Sequence, residues 1–158
     1  MDISKEYILQ CSKAEKIQKG WKPQTLDVIF AVGEGNILYV SDNPLYWTHY
    51  RGIKEHQIIK DPDGRKTAAE VWYKATWLPR QDQLQDLVKD KYLKYAKKSM
   101  FKYHEILLYH INSFSDEIRC SQIKGHGYCY DNSMEQLWLA FVMKEKYQKQ
   151  WNGTDWVK

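Results

Sequence analysis

The residues best suited to chemistry lie late in the chain. Cys120, His126 and Cys129 are spaced C-x5-H-x2-C, and His110 stands upstream of them. Thiolate and imidazole are the ligands zinc prefers, and a tetrahedral structural site needs four. Glycines at positions 125 and 127 would let the segment bend around an ion. The spacing is not the paired C-x2–4-C knuckle of known zinc modules, however. Two reduced cysteines and a surface histidine on a loop account for it more simply. Zinc is the one cofactor the sequence offers, and the expectation is that none is bound.

A second set is ionic. Arg80, Asp82 and Glu135 fall at the starts of expected helices beside Trp77 and Trp138. Helix N-termini gather anion sites, so these three would make a pocket if the fold brought them together. Acidic residues also complement the helix dipole where they stand, without any ligand. Other catalytic patterns fail on spacing. His104-Glu105 is followed by His110 and not by a histidine at the fourth position, so it is not the helical zinc-protease motif. Gly33-Glu34-Gly35 lacks the third glycine of a dinucleotide loop, and there is no Walker sequence and no Gly-x-Ser-x-Gly. A small enzyme of unassigned class is therefore the weakest of three readings.

The other two readings concern binding. Lys91, Lys94, Lys98 and Lys102 follow helical steps of three and four, with Tyr92 and Tyr95 on the flanks. Such a face could hold phosphates and stack bases. Against it, solvent-facing helices are commonly lysine-rich, and the net charge of +4 is mild for a nucleic-acid binder. The charge is nevertheless concentrated, since positions 89–102 hold six lysines and one aspartate. Aromatic residues reach 15% of the chain, including 12 Tyr and 7 Trp. Most of these rings should be core. Tyr46, Trp47, His49 and Tyr50 are placed by the sequence in a loop, where packing explains aromatics less well and contact with a partner protein explains them better.

The elements that must position these residues follow from periodicity. A chain of 158 residues fits one domain, here 1–158, with one core. Ile3, Tyr7, Cys11, Ala14 and Ile17 form one helical stripe, with Asp2 as the expected cap and Gly20 as the stop. The β-rich runs 27–32 and 37–40 flank Gly33-Glu34-Gly35-Asn36 and predict a hairpin. A polar and aromatic loop spans 41–52, a second hairpin turns at Asp61-Pro62-Asp63-Gly64, and 70–77 reads as a strand. Leu84, Leu87 and Val88 mark a helix opening near Pro79. The apolar phase then changes to a second stripe of Leu93, Ala96, Met100, Tyr103, Leu107, Ile111 and Phe114, which places a break at 89–91 and a further helix through Phe114. Positions 115–132 read as an irregular loop insertion. Ser133 with Gln136 is a capping-box signature, followed by an apolar run at 137–143 that belongs at the centre of the fold. Asn152-Gly153 should end this helix. The class is thus α+β: an N-terminal helix, about four antiparallel strands in two hairpins, then three helices with the last one central.

Two stretches resemble a known family. The run from Trp77 through Pro79, Arg80, Gln81 and Asp82 to Leu84 is one; the other runs from Glu135 to Tyr147 and ends in Trp151-Asn152-Gly153 and Trp156. Together with Trp21-Lys22-Pro23 they resemble an uncharacterised family encoded in bacteriophages and prophages, covering less than half of the chain. The resemblance implies a phage context and no particular chemistry. The opening residues carry acids and no apolar h-region, so no signal peptide is expected. The sparse, odd set of three cysteines suits a reducing compartment. No stretch has the eighteen or so apolar residues of a membrane span. The expectation is therefore a cytoplasmic, non-enzymatic accessory protein. It would bind a host or phage protein, with nucleic acid as the alternative partner and no membrane.

Overall fold

A serine, and not the expected aspartate, starts the first helix. The computed structural model describes residues 1–22, 24, 26–31, 36–40, 46–49, 55–57, 75–123 and 133–158. These fall into two compact units, one of residues 3–79 and one of residues 1–2 with 80–158.

In the first unit, α1 (Lys5–Lys13) begins where Ser4 Oγ accepts a hydrogen bond from Tyr7 N at 3.1 Å. Tyr7, Cys11, Ala14 and Ile17 turn inward, as the spacing predicts, and the polar Gln10 is buried beside them. The single helix expected to reach Gly20 is interrupted at Ala14, whose ψ of 57° leaves the helical region, and α2 (Glu15–Gly20) resumes after it. In an unbroken helix the Cys11 carbonyl would accept from residue 15. Here it accepts from Ala14 N at 3.1 Å and from the Gln18 side-chain amide at 3.0 Å.

The sheet of this unit has strands β1 (Val28–Ala31), β2 (Asn36–Tyr39), β3 (Tyr46–His49), β4 (Glu55–Gln57) and β5 (Ala75–Leu78). Their order is β4-β3-β2-β1-β5, and each neighbouring pair is antiparallel. The first hairpin stands as the sequence predicts, with Ile29 opposite Leu38. The turn of the second hairpin lies outside the described residues, as does most of the strand expected at 70–77. Val28 and Ile29 are adjacent and both buried, as are Thr76, Trp77 and Leu78. Side chains alternate across a strand, so β1 and β5 are covered on both faces. Helix α1 packs on β5, and the Tyr7 hydroxyl donates to the carbonyl of the buried Pro79.

Strand β5 is an edge of this sheet, and an exposed edge invites unwanted pairing. A side chain closes it. Gln18 Oε1 accepts from Trp77 N at 2.9 Å, and Gln18 Nε2 donates to Trp77 O at 3.0 Å, so the amide stands where another strand would. The Trp21 ring stacks on Trp77 at 5.8 Å between centroids, and its Nε1 donates to the buried carboxylate of Asp27 at 2.7 Å.

The second unit contains α3 (Gln81–Ala96), α4 (Tyr103–Ile123), α5 (Met134–Tyr147) and a short antiparallel pair, β6 (Gln150–Trp151) with β7 (Trp156–Val157). Helix α3 runs straight through 89–91, where a break was expected. Its buried side is Leu84, Val88 and Tyr92, so the stripe continues in phase once Tyr92 counts as core. The chain leaves helix at 97–102 instead. Helix α4 extends to Ile123, which corrects the loop expected from 115; positions 124–132 lie outside the described residues.

Helix α5 opens at Ser133, whose Oγ accepts from Gln136 N at 3.1 Å. The reciprocal half of the box is replaced, because the Gln136 amide donates to Asp2 Oδ2 at 2.7 Å. Trp138 to Met143 are all buried, and α5 packs on α3, α4 and β6. It is the central element of this unit. It ends on Gln148 in the left-handed conformation (φ 55°) and not at Asn152. Asn152 instead turns the β6–β7 hairpin, its Oδ1 accepting from the backbone N of Thr154 and Asp155, with Gly153 at φ 100°. Among the described residues no helix is long and apolar enough to cross a membrane.

Candidate functional site

The ionic set converges. Arg80 precedes α3, Asp82 lies in its first turn, and Glu135 lies in the first turn of α5; with Met1, Gln81 and Gln85 they line an open cleft of about 360 Å³. Its charges answer one another. Arg80 grips Asp82 with two hydrogen bonds, from Nε and Nη2, each of 3.2 Å. The hydrogen bond from Arg80 holds the Asp82 carboxyl below its ordinary range. Glu135 lies 3.2 Å from the amino group of Met1. A carboxylate held ionised by a neighbouring guanidinium is a poor proton donor at neutral pH. The three residues share one cleft, and its geometry is that of paired charges.

The lysine face is divided. Lys94 lies in the last turn of α3, Lys98 in the connection and Lys102 just before α4, so one helix does not carry all four. Lys91 points elsewhere: its Nζ donates to Glu145 Oε2 at 2.5 Å. The same oxygen accepts from the hydroxyl of Tyr92 at 2.8 Å, which ties α3 to α5. Burial, then the hydrogen bond to Glu145, pushes the Tyr92 hydroxyl well above the usual tyrosine range. Burial opposes the Glu145 charge, but the bonds from Lys91 and Tyr92 outweigh it and hold the carboxyl below its usual range. The Tyr92 ring also meets His110 at 5.0 Å, so this histidine belongs to an aromatic cluster with Tyr95 and Tyr109.

What remains around the α3–α4 connection is a surface of a different kind. Lys94, Lys97, Lys98 and Lys102 form no ion pair among the described residues. Between them Met100 is 99% exposed and Phe101 63% exposed. Tyr95, Leu108 and Tyr109 are exposed as well, so five of the ten large apolar side chains found exposed among the described residues fall at 95–109. The sequence reading assigned Met100 to the buried stripe. It missed this surface because a helix was assumed to continue where the chain turns. The adjacent pair Met100-Phe101 inside Lys-Lys-Ser-Met-Phe-Lys was the available signal.

Tyr46, Trp47 and His49, expected in a loop, lie on β3, which pairs with β2 and β4. The backbone there is thus committed to the sheet; Tyr50 lies outside the described residues. Cys120 falls on the last turns of α4, and His126 and Cys129 lie outside the described residues. Among the described residues no group of three or more His, Cys, Asp or Glu stands where it could hold a metal ion. No family model, no curated protein and no solved structure matches this chain.

Proposed function

We propose that this chain is a non-enzymatic binding protein whose contact surface is the region 94–109, and that its partner is negatively charged. The observation that supports this reading is the coincidence there of four lysines that form no ion pair among the described residues with half of the large apolar side chains exposed among those residues. Apolar patches rimmed by charge mark interaction sites, and lysines without internal partners keep their attraction for an external anion. The ionic cleft is a weaker candidate, since Arg80 and Asp82 already satisfy each other. In the phage context implied by the resemblance of its Trp77–Leu84 and Glu135–Trp156 stretches, the partner belongs to the bacterial host or the phage.

Amine acetylation tests the surface directly. The pure protein and the protein in bacterial lysate are labelled in parallel, and each lysine is read by mass spectrometry. Lys94, Lys97, Lys98 and Lys102 should be protected in lysate, while the exposed Lys5 and Lys158 label equally in both. Equal labelling at every lysine would sink the reading. Protection that vanishes after nuclease treatment would identify the partner as nucleic acid.

A further inference from the structure

We infer that the α3–α4 connection is a membrane-surface anchor: Met100 and Phe101 enter the boundary of an anionic lipid bilayer while Lys94, Lys97, Lys98 and Lys102 hold its headgroups. This rests on the binding surface proposed above and names its occupant. Three observations carry it. The apolar pair lies in the turn between two helices, and Met100 has essentially no protein around it. A protein partner needs a complementary pocket to bury such a tip, whereas a fluid bilayer supplies one wherever the tip lands. The lysines lie on both sides of the pair in the chain, at 94, 97 and 98 before it and at 102 after it. Long cationic side chains flanking an apolar tip suit the headgroup level, where their stems stay in apolar surroundings and their ammonium groups meet phosphate.

The third observation is the local charge balance. Position 91–102 contains no acidic residue. The nearest carboxylate in sequence on the α4 side is Glu105, and one of its oxygens is already occupied by Lys102 N at 2.8 Å. Lys91 and Glu145 neutralise each other. Nucleic acid would also answer the lysines and could stack on the exposed Phe101, Tyr95 and Tyr109 rings, but Met100, the most exposed apolar group, is a thioether that stacking does not use and a bilayer would bury. A peripheral anchor needs no spanning helix, so the absence of one among the described residues bears only on crossing the bilayer.

Sedimentation of the full chain with lipid vesicles tests the inference. Vesicles of phosphatidylcholine alone are compared with vesicles containing about a third phosphatidylglycerol, at low salt and near physiological salt. Binding should require the anionic lipid and weaken as salt rises. Each lysine near an anionic surface contributes about fivefold in affinity, so Lys97→Glu with Lys98→Glu should lower binding by well over tenfold. Met100→Ser with Phe101→Ser should also lower it by tenfold or more. All four side chains are exposed, so melting temperatures should not change, and circular dichroism checks this. Equal binding to neutral and anionic vesicles, no binding to either, or full binding by the Met100/Phe101 variant would each overturn the anchor. If vesicles fail while lysate still protects these lysines from acetylation, the contact surface stands and its occupant is a protein or, on nuclease sensitivity, a nucleic acid.

Discussion

Replacing Gln18 by alanine should open the edge of β5. The Gln18 amide makes three hydrogen bonds: it accepts from Trp77 N at 2.9 Å and donates to Trp77 O and Cys11 O, both at 3.0 Å. Trp77 is only 6% exposed and Cys11 is fully buried. Truncation therefore leaves a backbone N–H and a carbonyl of a buried residue without these partners. The Cys11 carbonyl still has Ala14 N. A buried polar group left unpaired costs about 1–3 kcal/mol. Gln18 itself is half-buried, so water reaches part of the gap and the total should be about 2–4 kcal/mol.

Urea unfolding followed by near-ultraviolet circular dichroism reads this loss, since the Trp21–Trp77 stack beside the amide is a local reporter. Hydrogen exchange adds a residue-level test, because Trp77 N–H donates to Gln18 Oε1 and should lose its protection. Gln18→Glu sharpens the argument. It keeps an acceptor for Trp77 N but sets a carboxylate against two carbonyl oxygens. The folded state then raises the glutamate pKa above its ordinary value of about 4.3. The folded protein binds the proton more readily than the unfolded chain, so this variant should regain stability as the pH falls through that range. A Gln18→Ala cost below about 0.5 kcal/mol, with Trp77 protection unchanged, would refute the edge-closing role.

Two further substitutions probe the ties within each unit. Glu145→Gln removes the anion shared by Lys91 and Tyr92 and should cost about 1–2 kcal/mol at neutral pH, with the exposure of Lys91 keeping it modest. Because the Glu145 carboxyl is held below its ordinary range, its contribution is present at neutral pH and lost as the pH falls through the folded value. Urea midpoints should therefore fall less from pH 7 to pH 3 in the variant than in the parent protein, and parallel curves would contradict the assignment. Tyr7→Phe deletes only the hydroxyl that reaches Pro79 O and should cost about 1–2 kcal/mol; an unchanged midpoint would show that the bond contributes nothing.

Where one local rule governs an element, the sequence is legible. The β1–β2 hairpin and the Ser133 cap stand as read, and of the apolar run at 137–143 all but the half-buried Leu137 are buried. Periodicity failed where a residue has two characters. Tyr92 buries its ring and spends its hydroxyl on Glu145, so treating it as a flank shifted the helix break by several residues. Asp2 is equally able to cap a local helix or to serve a distant one, and Ser133 with Gln136 takes it.

The sequence by itself determined the α+β class, the inward stripe of Tyr7, Cys11, Ala14 and Ile17, and the local excess of lysine at 89–102, because spacing and composition act over short stretches of chain. Only the tertiary structure decided which lysines of 91–102 are neutralised and which form no ion pair among the described residues. Lys91 meets Glu145 from 54 positions away, and no window along the chain contains both. It also decided that Met100 and Phe101 stand outside the core, and that a glutamine from a helix closes the edge of a sheet. These outcomes depend on which backbone groups find partners across long separations, and hydrogen bonds and charges respond to distance in space, not along the chain.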